Sequence, residues 1–278
     1  MVRAAMTEPQ PTAPEPVPVP SPPPPTSPSE APSPAWLRLW REVIGLLRGL
    51  DLPSTVAMLV GMVALVLSHH QGDTWFYRSN FAKWVGEGKE PFYEYLPTLY
   101  WHLAAVAFYL LVPLAAAALT PGVRVRELGL GLGDRKYGLK ATALVVACFV
   151  PVVFAASRLD TFANHYPLCS AAKSSVGLFL AYELSFAAYF IAWEFIFRGY
   201  LLFSFEKTMG KAAILAQTMP FVIMHFGKPE LETLGSIVAG VALGLLALRT
   251  RSMWYGAVIH VAAAFSMDLF ATLKALGR

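Results

Sequence analysis

Uncharged apolar runs separated by charged loops dominate the chain from residue 51 onward. The first run lies between Asp51 and Asp73 and predicts a membrane span near 53–69. Six further runs lie between Glu94 and Arg124, Lys140 and Arg158, about Ser174 and Phe205, Lys211 and Lys228, Glu232 and Arg249, and after Arg251. Because a spanning helix needs about 20 predominantly apolar residues, the pattern predicts an all-α membrane protein, a polytopic bundle of seven transmembrane helices. The aromatic-rich stretch 75–92 would add an eighth span if it re-enters the membrane.

The first 50 residues follow two other patterns. Of the 22 prolines, 13 fall within residues 1–35, which predicts a disordered Pro-rich tail because proline cannot donate to a backbone ladder. Residues 36–50 place Trp36, Trp40 and Ile44 at helical spacing, with Arg38 and Arg41 off that stripe. This arrangement predicts an amphipathic helix that lies in the membrane interface. The first two spans and the outer loop between them then occupy 51–124.

Lysine and arginine concentrate in alternate loops. They occur in the segment 36–50, in the loop 124–140 and in the turns 206–211 and 249–251. By the positive-inside rule these loops are cytoplasmic. We therefore expect an integral protein of the cell (inner) membrane, surrounded by the lipid bilayer, with its N-terminal tail in the cytoplasm.

Composition excludes an ordinary soluble domain. Hydrophobic residues make up 56% of the chain and charged residues 14%, whereas soluble proteins average about 25% charged residues. The net charge of +4 lies between the spans, so it requires no nucleic acid as a partner. Two cysteines give no basis for a disulfide framework or a thiol metal site. The sequence leaves the oligomeric state open.

Ionisable side chains within the predicted spans are the candidates for function, because each costs about 2.5–3.5 kcal/mol near the bilayer centre. There are six: His102, Glu183, Glu194, Arg198, His225 and His260. The first two lie nearer the outer side and are predicted to be structural or water-facing. Glu194, His225 and His260 lie at comparable depth on three spans, and Arg198 is placed to pair with Glu194 four residues earlier.

Two chemistries fit one carboxylate and two imidazoles at the same depth. They can serve as base and oxyanion donors for amide hydrolysis. Alternatively, Glu194, His225 and His260 can hold a zinc ion that keeps an open coordination position. The spacing does not choose between these alternatives.

Three short motifs resemble those of the CAAX protease and bacteriocin-processing (CPBP) intramembrane proteases. The run from Trp193 to Gly199, W-E-F-I-F-R-G, resembles Glu-Glu-x-x-x-Arg-Gly, and Phe221 to His225 matches Phe-x-x-x-His. His260 stands where the third motif, His-x-x-x-Asn, begins. The run E-L-G-L-G-L at 127–132 is also typical of that family. The resemblance covers about 125–270 and implies a CPBP-like intramembrane protease domain over 125–275.

The resemblance implies an intramembrane endopeptidase with a helical bundle whose cavity opens to the cytoplasm. Glu194, assisted by His225, would activate a water, and His260 would stabilise the oxyanion. Arg198 matches the arginine of the first motif. Its substrate would be a peptide or a membrane protein, with prenylated C-termini among the compatible classes.

Two positions depart from the family motifs. Trp193 occupies the place of the first Glu, and Ala264 occupies the place of the Asn. Asp268, two turns after His260, either compensates for the missing Asn or is a charge at the outer membrane boundary. The alternative function is therefore a catalytically inactive relative that binds peptides or membrane partners.

Overall fold

The computed structural model describes residues 34–85, 90–228 and 230–277, and every regular element within them is helical. All but the last two residues of the predicted tail, 1–35, lie outside this part of the chain. The α-helices are α1 (Ala35–Arg48), α2 (Leu52–Gln71), α3 (Thr74–Asn80), α4 (Ala82–Val85), α5 (Pro91–Val106), α6 (Val112–Leu119), α7 (Arg135–Ala156), α8 (Asp160–His165), α9 (Val176–Glu194), α10 (Leu202–Met209), α11 (Ala213–Ile223), α12 (Glu230–Thr250) and α13 (Trp254–Ala275). The π-helical segments Ala107–Leu111 and Phe195–Leu201 continue α5 and α9.

Helix α1 belongs to a unit that ends at Gly49, and the other helices belong to a second unit that begins at Leu50. Trp36, Leu39 and Trp40 of α1 are large apolar side chains that are all exposed. Helix α1 covers most of the segment for which an interfacial helix is predicted. Its location in the membrane interface stays a prediction.

Six stretches of the described chain are long and apolar enough to cross a membrane, which confirms a helical membrane protein. They are Leu52–Gln71, Pro91–Leu119, Arg135–Ala156, Val176–Ile223, Glu232–Thr250 and Trp254–Ala275. The predicted count of seven or eight is not confirmed, and the difference from seven arises within the 48 residues of Val176–Ile223. This stretch changes direction at Gly210, where φ is +56°, and α11 packs back against α10. In the region 75–92 the described residues form mainly the short helices α3 and α4.

The buried centre of the second unit is α9 together with its π-helical continuation. Helices α5 and α13 pack against α9, while α2 and α11 pack against the continuation. Every residue from 192 to 205 is buried, and Phe195, Ile196 and Phe197 are fully so. A helix that is apolar on all sides is expected at such a centre. The first motif therefore lies in the middle of the bundle.

An extended strap before α7 holds the beginning of α13. The strap is residues 129–134, which follow the 3₁₀ turn Val125–Glu127. Its hydrogen bonds join Met253 N–H to the Gly129 carbonyl (2.9 Å), Trp254 Nε1–H to the Leu130 carbonyl (2.7 Å), the Tyr255 hydroxyl to the Leu132 carbonyl (2.6 Å), and Asp134 N–H to the Thr250 carbonyl (3.0 Å). The strap thereby fixes the end of the helix that contains His260.

Gly133→Ala is expected to lower the free energy of unfolding by more than about 1 kcal/mol. Gly133 has φ +47°, and a Cβ there would collide with the Thr250 carbonyl oxygen. The matched control is Gly131→Ala in the same strap, because a Cβ at Gly131 meets no atom within 4 Å. Unfolding in detergent measures both variants. Equal stabilities would contradict the described packing of the strap.

Candidate active site

The three motifs meet at one cavity of about 1100 Å³ within the bundle. Trp193 of α9, His225 after α11, and His260 and Ala264 of α13 all line it. Most of the remaining lining is aliphatic or aromatic. Ligand cavities in proteins are typically of this size and are mostly apolar with a few polar groups.

A buried ion pair lies beside this cavity. Glu194 and Arg198 are both 0% exposed, and an Arg198 Nη donates to Glu194 Oε1 at 2.7 Å. The pair forms because residues four apart share a helix face. The Arg198 guanidinium also lies 4.0 Å from the centre of the Phe221 ring, so it makes a cation–π contact across to α11.

His260 reaches the same carboxylate from α13. Its Nδ1 lies 2.8 Å from Glu194 Oε1, and its ring stacks on Phe190 with 5.3 Å between centroids. The structure therefore brings together three of the four predicted site residues: Glu194, Arg198 and His260. With Nδ1 facing the carboxylate, Nε2 lies on the opposite edge of the ring.

Glu194 has no free access to the cavity in this arrangement. Its Oε1 is shared between Arg198 and His260. Its Oε2 is buried without a hydrogen-bond partner among the described residues and lies against Gly256. This environment favours a carboxylate that orients its neighbours over one that activates a water.

Gly256→Ala is expected to displace the Glu194 carboxylate, at a cost of about 1–3 kcal/mol in the free energy of unfolding. A Cβ at Gly256 would collide with Glu194 Oε2. Gly235→Ala is the matched control, because Gly235 also lies on a helix beside the cavity and a Cβ there meets nothing within 4 Å. Thermal unfolding in detergent compares the two variants. A Gly256→Ala protein as stable as Gly235→Ala would contradict the close approach of α13 to Glu194.

His225, the fourth predicted residue, joins the cluster through the Phe221 ring. The ring of Phe221 lies 4.6 Å from that of His225 and 6.2 Å from that of His260. His225 Nδ1 lies 2.7 Å from the Phe221 carbonyl oxygen. A carbonyl only accepts hydrogen bonds, so Nδ1 carries the proton, and in the neutral ring Nε2 keeps its lone pair. His225 thus has an unprotonated ring nitrogen in a cavity-lining position.

The two departures from the motifs also lie at the cavity. Trp193 is 5% exposed, and its ring meets that of His225 edge-on at 5.9 Å and stacks on Tyr189. Ala264 lies one helical turn after His260 and leaves open space where the family motif has an amide. The indole ring of Trp193 thus replaces the carboxylate of the first motif, and the methyl group of Ala264 replaces the amide of the third motif.

The π-helical segment Phe195–Leu201 begins directly after Glu194 and was not predicted from the sequence. Such segments are rare and often occur at functional sites. The residue pattern offers no signal for it, because apart from Arg198 the run is uncharged on every side. It sets the direction in which the buried residues after Glu194 point.

The predicted zinc ligands do not converge on one point. Glu194 Oε1 is occupied by Arg198 and His260, and Nδ1 of His225 faces its own helix. Within the described residues, no three His, Cys, Asp or Glu side chains form a group that could hold a metal ion. In this arrangement the residues do not fit zinc. The zinc alternative stays a prediction that elemental analysis of the purified protein would decide.

Two of the remaining predicted groups lie elsewhere in the bundle. His102 is fully buried, with Nδ1 2.7 Å from Ser185 Oγ and its ring stacked on Phe186. Glu183 interacts with Asp268 on α13. Asp268 therefore does not join the Glu194 cluster.

The fold and the cluster define a helical membrane protein with a buried Glu–Arg–His group at an internal cavity. Residues 175–266 match the family model described as Type II CAAX prenyl endopeptidase Rce1-like. The match covers all three motifs and confirms the resemblance to CAAX-type membrane proteases over those residues. No curated protein and no solved structure matches the chain.

Proposed function

We propose that this protein is an intramembrane endopeptidase that hydrolyses a peptide bond of a substrate bound in the central cavity. One observation carries the proposal: two imidazoles, His225 and His260, line the same cavity in complementary roles. His225 has a basic nitrogen, and His260 is oriented by a carboxylate. Base and electrophile at one site are what amide hydrolysis requires.

In the proposed reaction, His225 Nε2 takes a proton from water as the oxygen attacks the carbonyl carbon. The carbonyl oxygen becomes an oxyanion, which the His260 ring stabilises. The C–N bond then breaks, and His225 passes its proton to the leaving nitrogen. No net proton is gained or lost, and each catalytic group ends as it began.

Glu194 and Arg198 do not contact the substrate in this proposal and instead position His260. Glu194 Oε1 faces Nδ1 of His260 at 2.8 Å, and Arg198 donates a hydrogen bond to the same oxygen. We assign proton transfer to His225 and orientation to Glu194, because the carboxylate is fully buried and already paired. Such supporting groups fix the tautomer and angle of a catalytic histidine.

The substrate class follows from the cavity and the family. An apolar cavity within the membrane suits a hydrophobic peptide segment or a lipid-modified C-terminus, prenylated ones included. We propose seven passes with a cytoplasmic N-terminus, since Val176–Ile223 changes direction at Gly210 and the Lys- and Arg-rich loops alternate. This topology would place the cavity-lining residues Tyr137 and Arg249 at the cytoplasmic side of the cell (inner) membrane, and we propose that the substrate enters there.

The second candidate function is a non-catalytic protein that binds peptides or membrane partners through the same cavity. The specific observation in its favour is Trp193, whose ring contacts His225 where the family motif places a carboxylate. The replacement of the motif Asn by Ala264 also favours a non-catalytic protein. Binding without turnover would follow if the ring excludes the attacking water.

Peptide termini that depend on His225 would decide between the two candidates. We expect new termini, identified by mass spectrometry, in membranes that contain the wild-type protein and not in membranes that contain His225→Ala at matched expression. His69→Ala is the control, because His69 also lines the cavity but lies outside the motifs. Identical termini in the wild type and His225→Ala would favour the non-catalytic binder.

A further inference from the structure

A second group of polar side chains lies in the bundle away from the Glu194 cluster. Asp268 of α13 is 1% exposed, interacts with Glu183 and Tyr182 of α9, and lines the cavity. The proposed hydrolysis makes no use of these side chains. They therefore call for a separate physical explanation.

Most oxygens of this group make no hydrogen bond of good geometry within the described residues. Neither oxygen of Asp268, nor Glu183 Oε1, nor the Tyr182 hydroxyl makes a hydrogen bond of good geometry with any described residue. Buried polar groups are nearly always hydrogen-bonded, and buried charges are paired. Lys173 interacts electrostatically with Asp268, and the Asp268 oxygens still lack a hydrogen bond of good geometry within the described residues.

We propose that Asp268 and Glu183 form a subsite for a positively charged side chain, lysine or arginine, of a peptide bound in the cavity. An ammonium or guanidinium supplies several donors and the opposite charge, whereas carboxylates supply acceptors. A peptide is the occupant because the cavity that Asp268 lines also contains His225 and His260. The inference rests on the proposed function in this respect and adds a substrate specificity to it.

Helix geometry gives the distance from this subsite to the reacting group. Glu183 precedes Glu194 on α9, and Asp268 follows His260 on α13. Measured along the two helices, the subsite therefore lies about 12–16 Å from Glu194 and His260. An extended peptide advances about 3.3 Å per residue. The basic residue would thus lie roughly four or five positions from the bond that is cleaved.

Binding of a labelled apolar peptide with one lysine tests the subsite. Its affinity for the purified wild-type protein in lipid nanodiscs is compared, by fluorescence anisotropy, with that of the same peptide carrying norleucine. We expect about tenfold tighter binding of the lysine peptide, the scale of one charge-assisted hydrogen bond. Equal affinities in the wild type would overturn the proposal.

Two variants test whether Asp268 and Glu183 cause the preference for the lysine peptide, and a third serves as the control. Asp268→Asn and Glu183→Gln keep the shape of each side chain and are expected to abolish the preference for lysine. Glu232→Gln, which changes a cavity-lining carboxylate that pairs with Lys228, should retain it. A preference that survives in both Asp268→Asn and Glu183→Gln would also overturn the subsite.

The readout separates this inference from the proposed function, because binding requires no cleavage. Selective binding without new peptide termini would retain the subsite and remove the peptidase. Cleavage together with equal affinity for the lysine and norleucine peptides would retain the peptidase and remove the subsite.

Discussion

Glu194→Gln is expected to lower the free energy of unfolding by about 3–5 kcal/mol, because it leaves a buried charge without its partner. Arg198 is 0% exposed, and within the described residues it forms an ion pair with Glu194. Two further guanidinium nitrogens already lack a hydrogen bond within the described residues. Chemical unfolding of the detergent-solubilised protein measures the loss.

Two variants show whether the uncompensated charge is the cause. In Glu194→Gln/Arg198→Met both charges are gone, and most of the stability should return, since replacing a whole buried pair with apolar groups is often neutral. Glu232→Gln breaks the exposed Lys228–Glu232 pair of the same i,i+4 spacing and should cost less than about 1 kcal/mol. If Glu194→Gln costs no more than Glu232→Gln, the buried pair does not contribute as described.

This expectation changes how a loss of cleavage in Glu194→Gln is to be interpreted. A variant that unfolds more easily loses activity whether Glu194 takes a proton or merely positions His260. His225 is the better diagnostic residue, because among the described residues its ring hydrogen-bonds only to the Phe221 carbonyl of α11. Its replacement leaves the buried Glu194–Arg198 pair intact.

The helical bundle could be predicted from the sequence because its signal is local. Uncharged runs of sufficient length indicate spans, and the i,i+4 spacing of Glu194 and Arg198 already predicts their pairing. The number of passes is harder, because α11 has only 11 residues and follows α10 after a short turn at Gly210. By length and hydropathy, the helices from α9 to α11 count as one apolar stretch, Val176–Ile223.

The site was predicted in part, and its unpredicted features depend on contacts between distant segments. The shared depth of Glu194 and His260 suggested proximity, but no spacing shows that both His260 and Arg198 occupy the same carboxylate oxygen. The tautomer of His225 depends on the orientation of its ring, which directs Nδ1 to the Phe221 carbonyl oxygen. Likewise, Asp268 is predicted at a boundary or at the active site, and only the approach of α13 to α9 brings it to Glu183.

Ala264→Asn is expected to raise the rate of cleavage by about 10²-fold, because it restores a second donor to the oxyanion. Loss of one such donor typically costs 10²–10³-fold in kcat, which is roughly 2.7–4 kcal/mol. Ala264 follows His260 by one turn on α13 and lines the cavity, so an amide there would point toward the same bound carbonyl. Initial rates on the substrate found by mass spectrometry measure the gain.

Ala263→Asn is the matched control, since it adds the same amide at a position rotated about 100° around the helix. A peptidase in which His260 holds the oxyanion gains rate from Ala264→Asn and not from Ala263→Asn. If both variants cleave at the wild-type rate, His260 does not hold the oxyanion, because the added donor one turn away finds no developing charge. If no new peptide termini appear with the wild type or with Ala264→Asn, the protein binds without cleavage, and we assign the obstacle to Trp193, whose ring takes the place of the missing carboxylate beside His225. The response to Ala264→Asn thus separates a slow peptidase, which an added donor improves, from a binding protein, which it leaves unchanged.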